Sequence, residues 1–583
     1  MVQGNGLRDA YTATLTRMKA QKGNKSVLGL KVLMWVLYSE RPLRPQELCH
    51  ALGVEIGSSD LELENIPALR TLTASCLGLV TIEASSSTVR LVHFTLQEHL
   101  LNNPILFHTP HSEIAEICLT YLNYGSVCDL SPTLDSAPIS MPLLGYASCY
   151  WGEHARMGMT ENGKILALRL LDTFDKHISA QLMLLRYMGM GTSGPYFSGP
   201  KGPVGFTALH GASFLGIVEI VASVLEMKEW DLNEIDCVGC TALTWAAIRG
   251  YEGVVKILLE REGINPDQSD IAGRTPLWWA ATNEHTGVVR ILLERADINP
   301  NQVDTYNGQT PLSRAARKGH EGVVRILLER EDVNPNQVDT KYGQTPLSWA
   351  AENGHEGVVR ILLEREDVNP NQVGTYNGQT LLSWAAKEGH EGIVRIFLER
   401  EDVNPNQADT RYGRTPLLWA ATNGHAGVVR ILLEREDVNP NQVDTIFAQT
   451  PLSWAAENGR EGVVRILLEW EDINPDQADN HGRTPLLWAA KLGHEGVVRI
   501  LLEREDINPK HADTEYGRTP LLWAAWFGHV AVVKILLERQ DVSATALDHE
   551  GQTPLSLALS EGRDEVVRVL RDNANSRTTH RSV

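Results

Sequence analysis

Few residues of this 583-residue chain have a type and spacing that could do chemistry, and each fails on its context. A phosphate-binding loop needs G-x-x-x-x-G-K-[ST] after a strand, so that backbone N–H groups cradle phosphate and the hydroxyl reaches magnesium. The nearest string has Gly158, Gly163 and Lys164 in register. It ends in Ile165, and no apolar strand precedes it, so no nucleotide site is expected. Cys237 and Cys240 have zinc-like spacing but no partner pair. His320-Glu321 and His355-Glu356 lack the second histidine of an H-E-x-x-H zinc helix. No Ser-His-Asp or Cys-His set stands out. The expectation is no catalytic residue, no metal and no cofactor.

The elements around these strings belong to an array. The sentence T-P-L-x-W-A-A-x-x-G-H-x-G-V-V-R-I-L-L-E-R-E-D-x-N-P recurs in eleven copies, from Thr207 to Thr553, at a spacing of 34 or 35. A fixed period of this length marks a solenoid, whose units bury their apolar faces only against neighbours. In one copy, Thr345 is a good N-cap and Pro346 suits a first helical turn. Leu347, Ala350 and Ala351 predict a short helix with a small-residue face. Asn353-Gly354-His355 breaks it, and Gly357 to Arg365 restarts it with apolar residues at helical spacing. Asn369-Pro370 is expected to end the second helix. The polar stretch from Asn371 to Gly378 predicts an extended finger.

This unit resembles the ankyrin repeat, D-x-x-G-x-T-P-L-H-x-A-A-x-x-G-H-x-x-V-V-x-x-L-L, over roughly Gly202 to Asn573. It departs from that pattern in two ways. The signature His is kept only at His210, with Ser313, Ser348 and Leu418 among its replacements. The finger is longer: nine steps from Asn334 to Gly343, against six from Asn233 to Gly239. The resemblance implies a mainly α fold, an eleven-repeat solenoid that is non-catalytic and holds a protein or peptide ligand on its concave face.

One position of the motif carries Trp245, Trp279, Trp349, Trp384, Trp419, Trp454, Trp488 and Trp523, a series interrupted by Arg314. Two readings are open. The Trp replaces a framework Leu between helices, or it forms an aromatic stripe that anchors a partner, since Trp is enriched at hot spots. The copies differ mainly in the pair after Ala-Ala, such as Arg317-Lys318 and Trp526-Phe527, and at the finger. In proteins this motif resembles, those positions line the binding face. The candidate partner-binding residues are Trp349, Trp384, Trp419, Trp454, Trp488, Trp523, Tyr306, Tyr342, Tyr376, Tyr412, Tyr516, Arg314 and Trp526.

The first two hundred residues are different. Helix-like runs at Leu28–Ser39, Pro45–Leu52 and Asn65–Leu77 precede two strand-like runs, Leu79–Glu83 and Val89–Phe94. Three helices and then a hairpin is a winged-helix order. The third helix offers only Arg70 as a base, which argues against DNA binding. The expected organisation is a helical remnant (1–27), a winged-helix-like domain (28–125), a helical linker region (126–188) and a Gly/Pro-rich linker (189–205). The repeat domain (206–573) and a disordered tail (574–583) follow.

Residues 20–200 also resemble the region after the nucleotide-binding domain in fungal NACHT–ankyrin proteins, the NLR-like (STAND) signalling ATPases. The matching stretches are Lys31 to Val36, Arg41-Pro42-Leu43, Val89 to Thr95 and Pro142 to Ala155. In that family the winged helix braces the ATPase. The resemblance implies the sensor portion of such a protein, in innate-immunity-like signalling. The ATPase would be missing through truncation or in a natural short form. Two rival readings stand beside it: a scaffold or competing truncated inhibitor, and an NTP-hydrolysing switch with an unrecognised nucleotide site.

Composition sets the outer bounds. A net charge of −20 argues against a sequence-blind grip on nucleic acid and against docking on an anionic membrane. The seven cysteines all lie at or before Cys240, which is no secreted disulfide framework. No basic-then-apolar leader follows Met1, and the greasy run Val27–Tyr38 is too short to span a bilayer. A cytoplasmic location is expected, with the nucleus also open.

Overall fold

The computed structural model describes residues 3–103, 106–189, 203–373 and 378–579. They form two compact units, Met1–Thr305 and Tyr306–Val583. In the first unit, helices α1 (Gln3–Lys19), α2 (Lys25–Tyr38), α3 (Pro45–Gly53) and α4 (Leu69–Ser75) lead into the antiparallel strands β1 (Val80–Glu83) and β2 (Thr88–Leu91). The expected helix–helix–helix–hairpin order is present. Its third helix is shorter than the sequence suggested, because Ile66 precedes Pro67 and takes an extended backbone. The second strand also ends early. His93 accepts the Thr95 N–H and caps α5 (Phe94–Leu101), so Phe94 begins a helix.

Five helices follow: α6 (Pro110–Leu122), α7 (Gly125–Cys128), α8 (Leu144–Met157), α9 (Glu161–Asp172) and α10 (Ile178–Gly189). The core centres on α6, whose Ile114, Ile117, Cys118, Leu119 and Leu122 are buried between α8 and α9. Arg41 clamps Glu47 with both guanidinium arms, at 2.8 and 2.7 Å, while Glu47 also accepts the Arg44 N–H that opens α3. The first repeats pack directly on this region. Phe174 lies 6.0 Å from Phe206, and Tyr187 lies 5.7 Å from Trp245. That packing places the first repeats in the same compact unit as the N-terminal helices. Most of the Gly/Pro-rich stretch, residues 190–202, lies outside the described residues.

His177 is buried before α10 with Nε2 donating to the Leu122 carbonyl at 3.0 Å, and burial pushes its imidazole down to about 4. A base depressed in the native state binds its proton more readily when unfolded. Its effect on stability is therefore nil above the ordinary value of 6.5 and grows as pH falls towards 4. Urea unfolding should lose about 3 kcal/mol between pH 7 and pH 4 through this one group. His177→Gln should flatten that part of the profile.

The repeats have one plan. In the copy opening at Thr345, the Ser348 N–H donates to Thr345 Oγ1 at 3.2 Å and caps the first helix, Pro346–Glu352. Gly354 turns the chain with φ +79°, and a Cβ there would stand 2.8 Å from the His390 ring of the next repeat. His390 Nε2 in turn donates to the Glu352 carbonyl at 2.9 Å. The second helix is Glu356–Leu363 and buries Val358, Val359, Ile361 and Leu362. It stops well before Asn369-Pro370, which corrects the expectation that this dipeptide ends it. Glu364 and Arg365 already turn away, and Arg365 grips Asp367 at 2.8 Å. Fingers pair through backbone bonds, as Thr340 N–H to Asn307 carbonyl at 3.0 Å. The last helix, Asp564–Thr579, runs through the first part of the stretch expected to be a disordered tail, and residues 580–583 lie outside the described residues.

Candidate functional site

Nine fingers among the described residues carry a buried carboxylate: Asp236, Asp270, Asp304, Asp339, Asp409, Asp444, Asp479, Asp513 and Asp548. In the Thr345 copy, one oxygen of Asp339 accepts the backbone N–H groups of Tyr342 at 2.6 Å and Gly343 at 3.1 Å. The other oxygen accepts the Trp349 indole N–H at 2.8 Å. The same bond joins Trp245 to Asp236 (2.8 Å), Trp279 to Asp270 (3.1 Å) and Trp419 to Asp409 (3.0 Å). It also joins Trp454 to Asp444 (2.8 Å), Trp488 to Asp479 (3.0 Å) and Trp523 to Asp513 (2.6 Å). A buried charge without donors is costly, so the Trp both fills volume and satisfies the carboxylate. In the first such copy, burial still pushes the Asp236 carboxyl up to about 6, against the pull of the Trp245 bond.

Two copies test this rule. The last has Leu557 at the Trp position, and there Arg518 of the preceding repeat donates Nε to Asp548 at 3.2 Å. In the copy of Trp384 the carboxylate itself is missing from the sequence, where Gly374, outside the described residues, holds its place. The Asp had a visible signal that sequence reasoning missed: it stands nine or ten residues before each Trp it serves.

The structure separates the sequence-predicted residues into a floor and a surface. Trp349 (5% exposed), Trp523 (3%) and Trp419 are buried, while Trp384, Trp454 and Trp488 are half-buried. Above them stand Tyr306 (54% exposed), Tyr342 (41%) and Tyr516, all exposed, with Tyr412 half-buried. Tyr342 meets Trp349 edge-on at 5.7 Å, and Tyr516 meets Trp523 the same way at 5.7 Å. Tyr412 and Phe447 repeat the contact on Trp419 and Trp454. Arg314 and Trp526 are half-buried, and Trp526 stacks on Trp523 with centroids 5.2 Å apart. Tyr376 lies outside the described residues.

Cations interleave these rings. Arg317 lies 4.2 Å over Trp349, and Lys387 lies between Trp384 (4.7 Å) and Trp419 (5.6 Å). Arg414 covers Trp454 at 4.0 Å, Lys491 bridges Trp488 and Trp523 at 4.7 and 4.8 Å, and Arg518 covers Trp526 at 3.6 Å. Such pairs combine a flat apolar surface with positive charge. Two copies place an acid beside this row instead, with Gln344 donating to Glu352 and Gln449 to Glu457, each at 2.7 Å. The arrangement can recognise a partner; nothing in it resembles a nucleophile paired with a base.

The other strings resolve as structure. Gly158 ends α8 and Gly163 lies inside α9, where its N–H donates to Thr160 Oγ1 at 3.0 Å. The loop-like spacing therefore runs from the end of one helix into the first turns of the next, with no strand before it. Cys240 is buried with its thiol pushed well up, and its carbonyl accepts from His210 Nε2 at 3.1 Å. Among the described residues, no helix is long and apolar enough to cross a membrane.

Two family profiles match the chain. "GPI inositol-deacylase, winged helix domain" covers residues 15–115. "Ankyrin repeats (3 copies)" matches residues 193–270, 209–304, 263–339, 297–373, 366–444, 436–513 and 507–580. No curated protein matches the chain significantly. Ankyrin repeats are protein-interaction modules and are typically non-catalytic. With this profile spanning well over half of its residues, the chain belongs to the ankyrin-repeat family.

Proposed function

We propose that the chain is a non-catalytic recognition protein, the sensor portion of an NLR-like signalling protein. Its repeats hold a protein or peptide ligand on the face made by finger tips and first helices. The observation that carries this reading is the division of labour within each repeat. In seven copies the Asp and Trp hold the finger, while the residues that vary between copies stand exposed above them. Tyr306, Lys341, Tyr342, Arg411 and Tyr516 are all finger residues of that kind. Exposed Tyr over a rigid floor gives large contact area at low cost in conformational entropy, and Arg adds charge. The winged-helix region supports the NLR-like assignment, with the role of a brace and not of a DNA reader.

The test separates folding from binding. Replacing Tyr342 and Tyr516 together with Ala should change unfolding free energy by no more than about 1 kcal/mol per site. The same double variant should weaken capture of the ligand at least roughly tenfold, in the range of hot-spot losses. A double variant that captures the ligand as well as the parent chain would sink this reading.

A further inference from the structure

We propose that Glu40, His111 and His154 form a binding site for a zinc-class divalent cation that ties the end of α2 to α6 and α8. The three residues are a group of potential ligands whose donor atoms all lie within 4.8 Å of one another. No short motif signals it, because the ligands come from three separate elements.

The spacing of the two imidazoles is the strongest argument. His111 Nδ1 and His154 Nδ1 stand 2.9 Å apart. Two nitrogens each bound at the usual zinc distance of about 2.0–2.1 Å, at right-angled to tetrahedral geometry, are separated by about 2.9–3.4 Å. The pair therefore already holds the bite that an ion between them needs. Glu40 is exposed, so its carboxylate is free to swing onto the ion, whereas His154 is fully buried and fixed. Arg41, the neighbouring cation that would compete for that carboxylate, is committed to Glu47. Two imidazoles and one carboxylate, with water in a fourth place, suit zinc. Calcium and magnesium prefer oxygen sets.

The surroundings supply the support that metal-binding histidines need. Tyr146 Oη lies 2.8 Å from His154 Nε2 and accepts the Glu40 backbone N–H at 3.1 Å. Without an ion, one Nδ1 must carry a proton and donate to the other. With an ion, both Nδ1 lone pairs turn to the metal, and His154 carries its proton on Nε2, donating to Tyr146. That outer bond fixes tautomer and ring orientation. The rings are held by packing: Tyr38 lies 5.4 Å from His111, and Trp35 lies 5.8 Å from Tyr146.

The experiment uses the full chain, freed of tags and stripped with a chelator. Zinc is titrated by calorimetry, and cobalt(II) by its absorption, whose d–d bands report coordination number and whose lack of a thiolate charge-transfer band excludes the cysteines as ligands. One ion per chain is expected. His111→Gln and Glu40→Gln should each weaken zinc binding at least roughly tenfold, and Tyr146→Phe should weaken it by a smaller factor. Replacing buried His154 risks the fold, so the conclusion rests on the two accessible ligands, with unchanged circular dichroism as the control. No zinc bound by the parent chain would overturn the proposal. So would equal zinc affinity in the parent, His111→Gln and Glu40→Gln proteins.

Discussion

Trp349→Ala is expected to cost about 3–5 kcal/mol of stability, the range for deleting a large buried aromatic. Two losses combine. The ring is almost wholly buried, so its removal opens a cavity between first helices. Its indole N–H is also a donor to Asp339, so the carboxylate is left with backbone partners alone. Trp349→Phe separates the two, keeping most of the volume and losing the donor. It should cost about 1–3 kcal/mol, the price of an unsatisfied buried acceptor. The sequence supplies an internal control. At Trp384 no finger carboxylate exists, since Gly374 stands in its place. Trp384→Phe should therefore cost less than Trp349→Phe. Hydrogen exchange followed across residues 339–363 in the first case and 378–398 in the second reads each repeat locally. Equal losses at both positions would show that the Asp–indole bond contributes nothing.

Arg518→Ala should be about as damaging, at about 3–5 kcal/mol, because it leaves a buried charge without its partner. Arg518 is itself buried, and its Nε donates to Asp548, which is buried as well. Asp548 keeps only the backbone N–H groups of Glu550 and Gln552 when the guanidinium is gone. The adjacent stack also loses its cover, since Arg518 lies 3.6 Å over Trp526 and 5.1 Å over Trp523. Pairing the change with Asp548→Asn removes the stranded charge. The double variant should recover a substantial part of the loss, and a double-mutant cycle on urea unfolding measures the coupling. Additive losses would mean that the two groups do not depend on each other.

Much of this arrangement is legible in the sequence, for physical reasons that differ by element. The Thr caps, the Gly turn and the apolar second helix are local matters, and the period repeats each signal eleven times. The end of the second helix was less clear. Asn369-Pro370 forbids helix, but the chain had already left it at Glu364. A breaker sets the last possible end of a helix, not the actual one. Trp349 could be read either as frame or as anchor, because a Trp at helical spacing suits both. Only the Asp339 contact, formed across ten residues through a finger of irregular backbone, decides where its ring lies. His210, the one signature His kept, binds the carbonyls of Glu234 and Cys240 in the next finger, which Asp236 and Trp245 also hold. The cluster of Glu40, His111 and His154 was invisible because only tertiary packing brings it together.

The central claim is that ligand contacts are made by the variable finger tips above a fixed Asp–Trp frame. A photo-crosslinking amino acid placed in turn at Tyr342, at Tyr516 and at Arg360, an exposed second-helix position, tests it most directly. Crosslinks to one and the same ligand from Tyr342 and Tyr516, with none from Arg360, are the predicted result. Crosslinks from Arg360 with none from the finger tips would contradict the account.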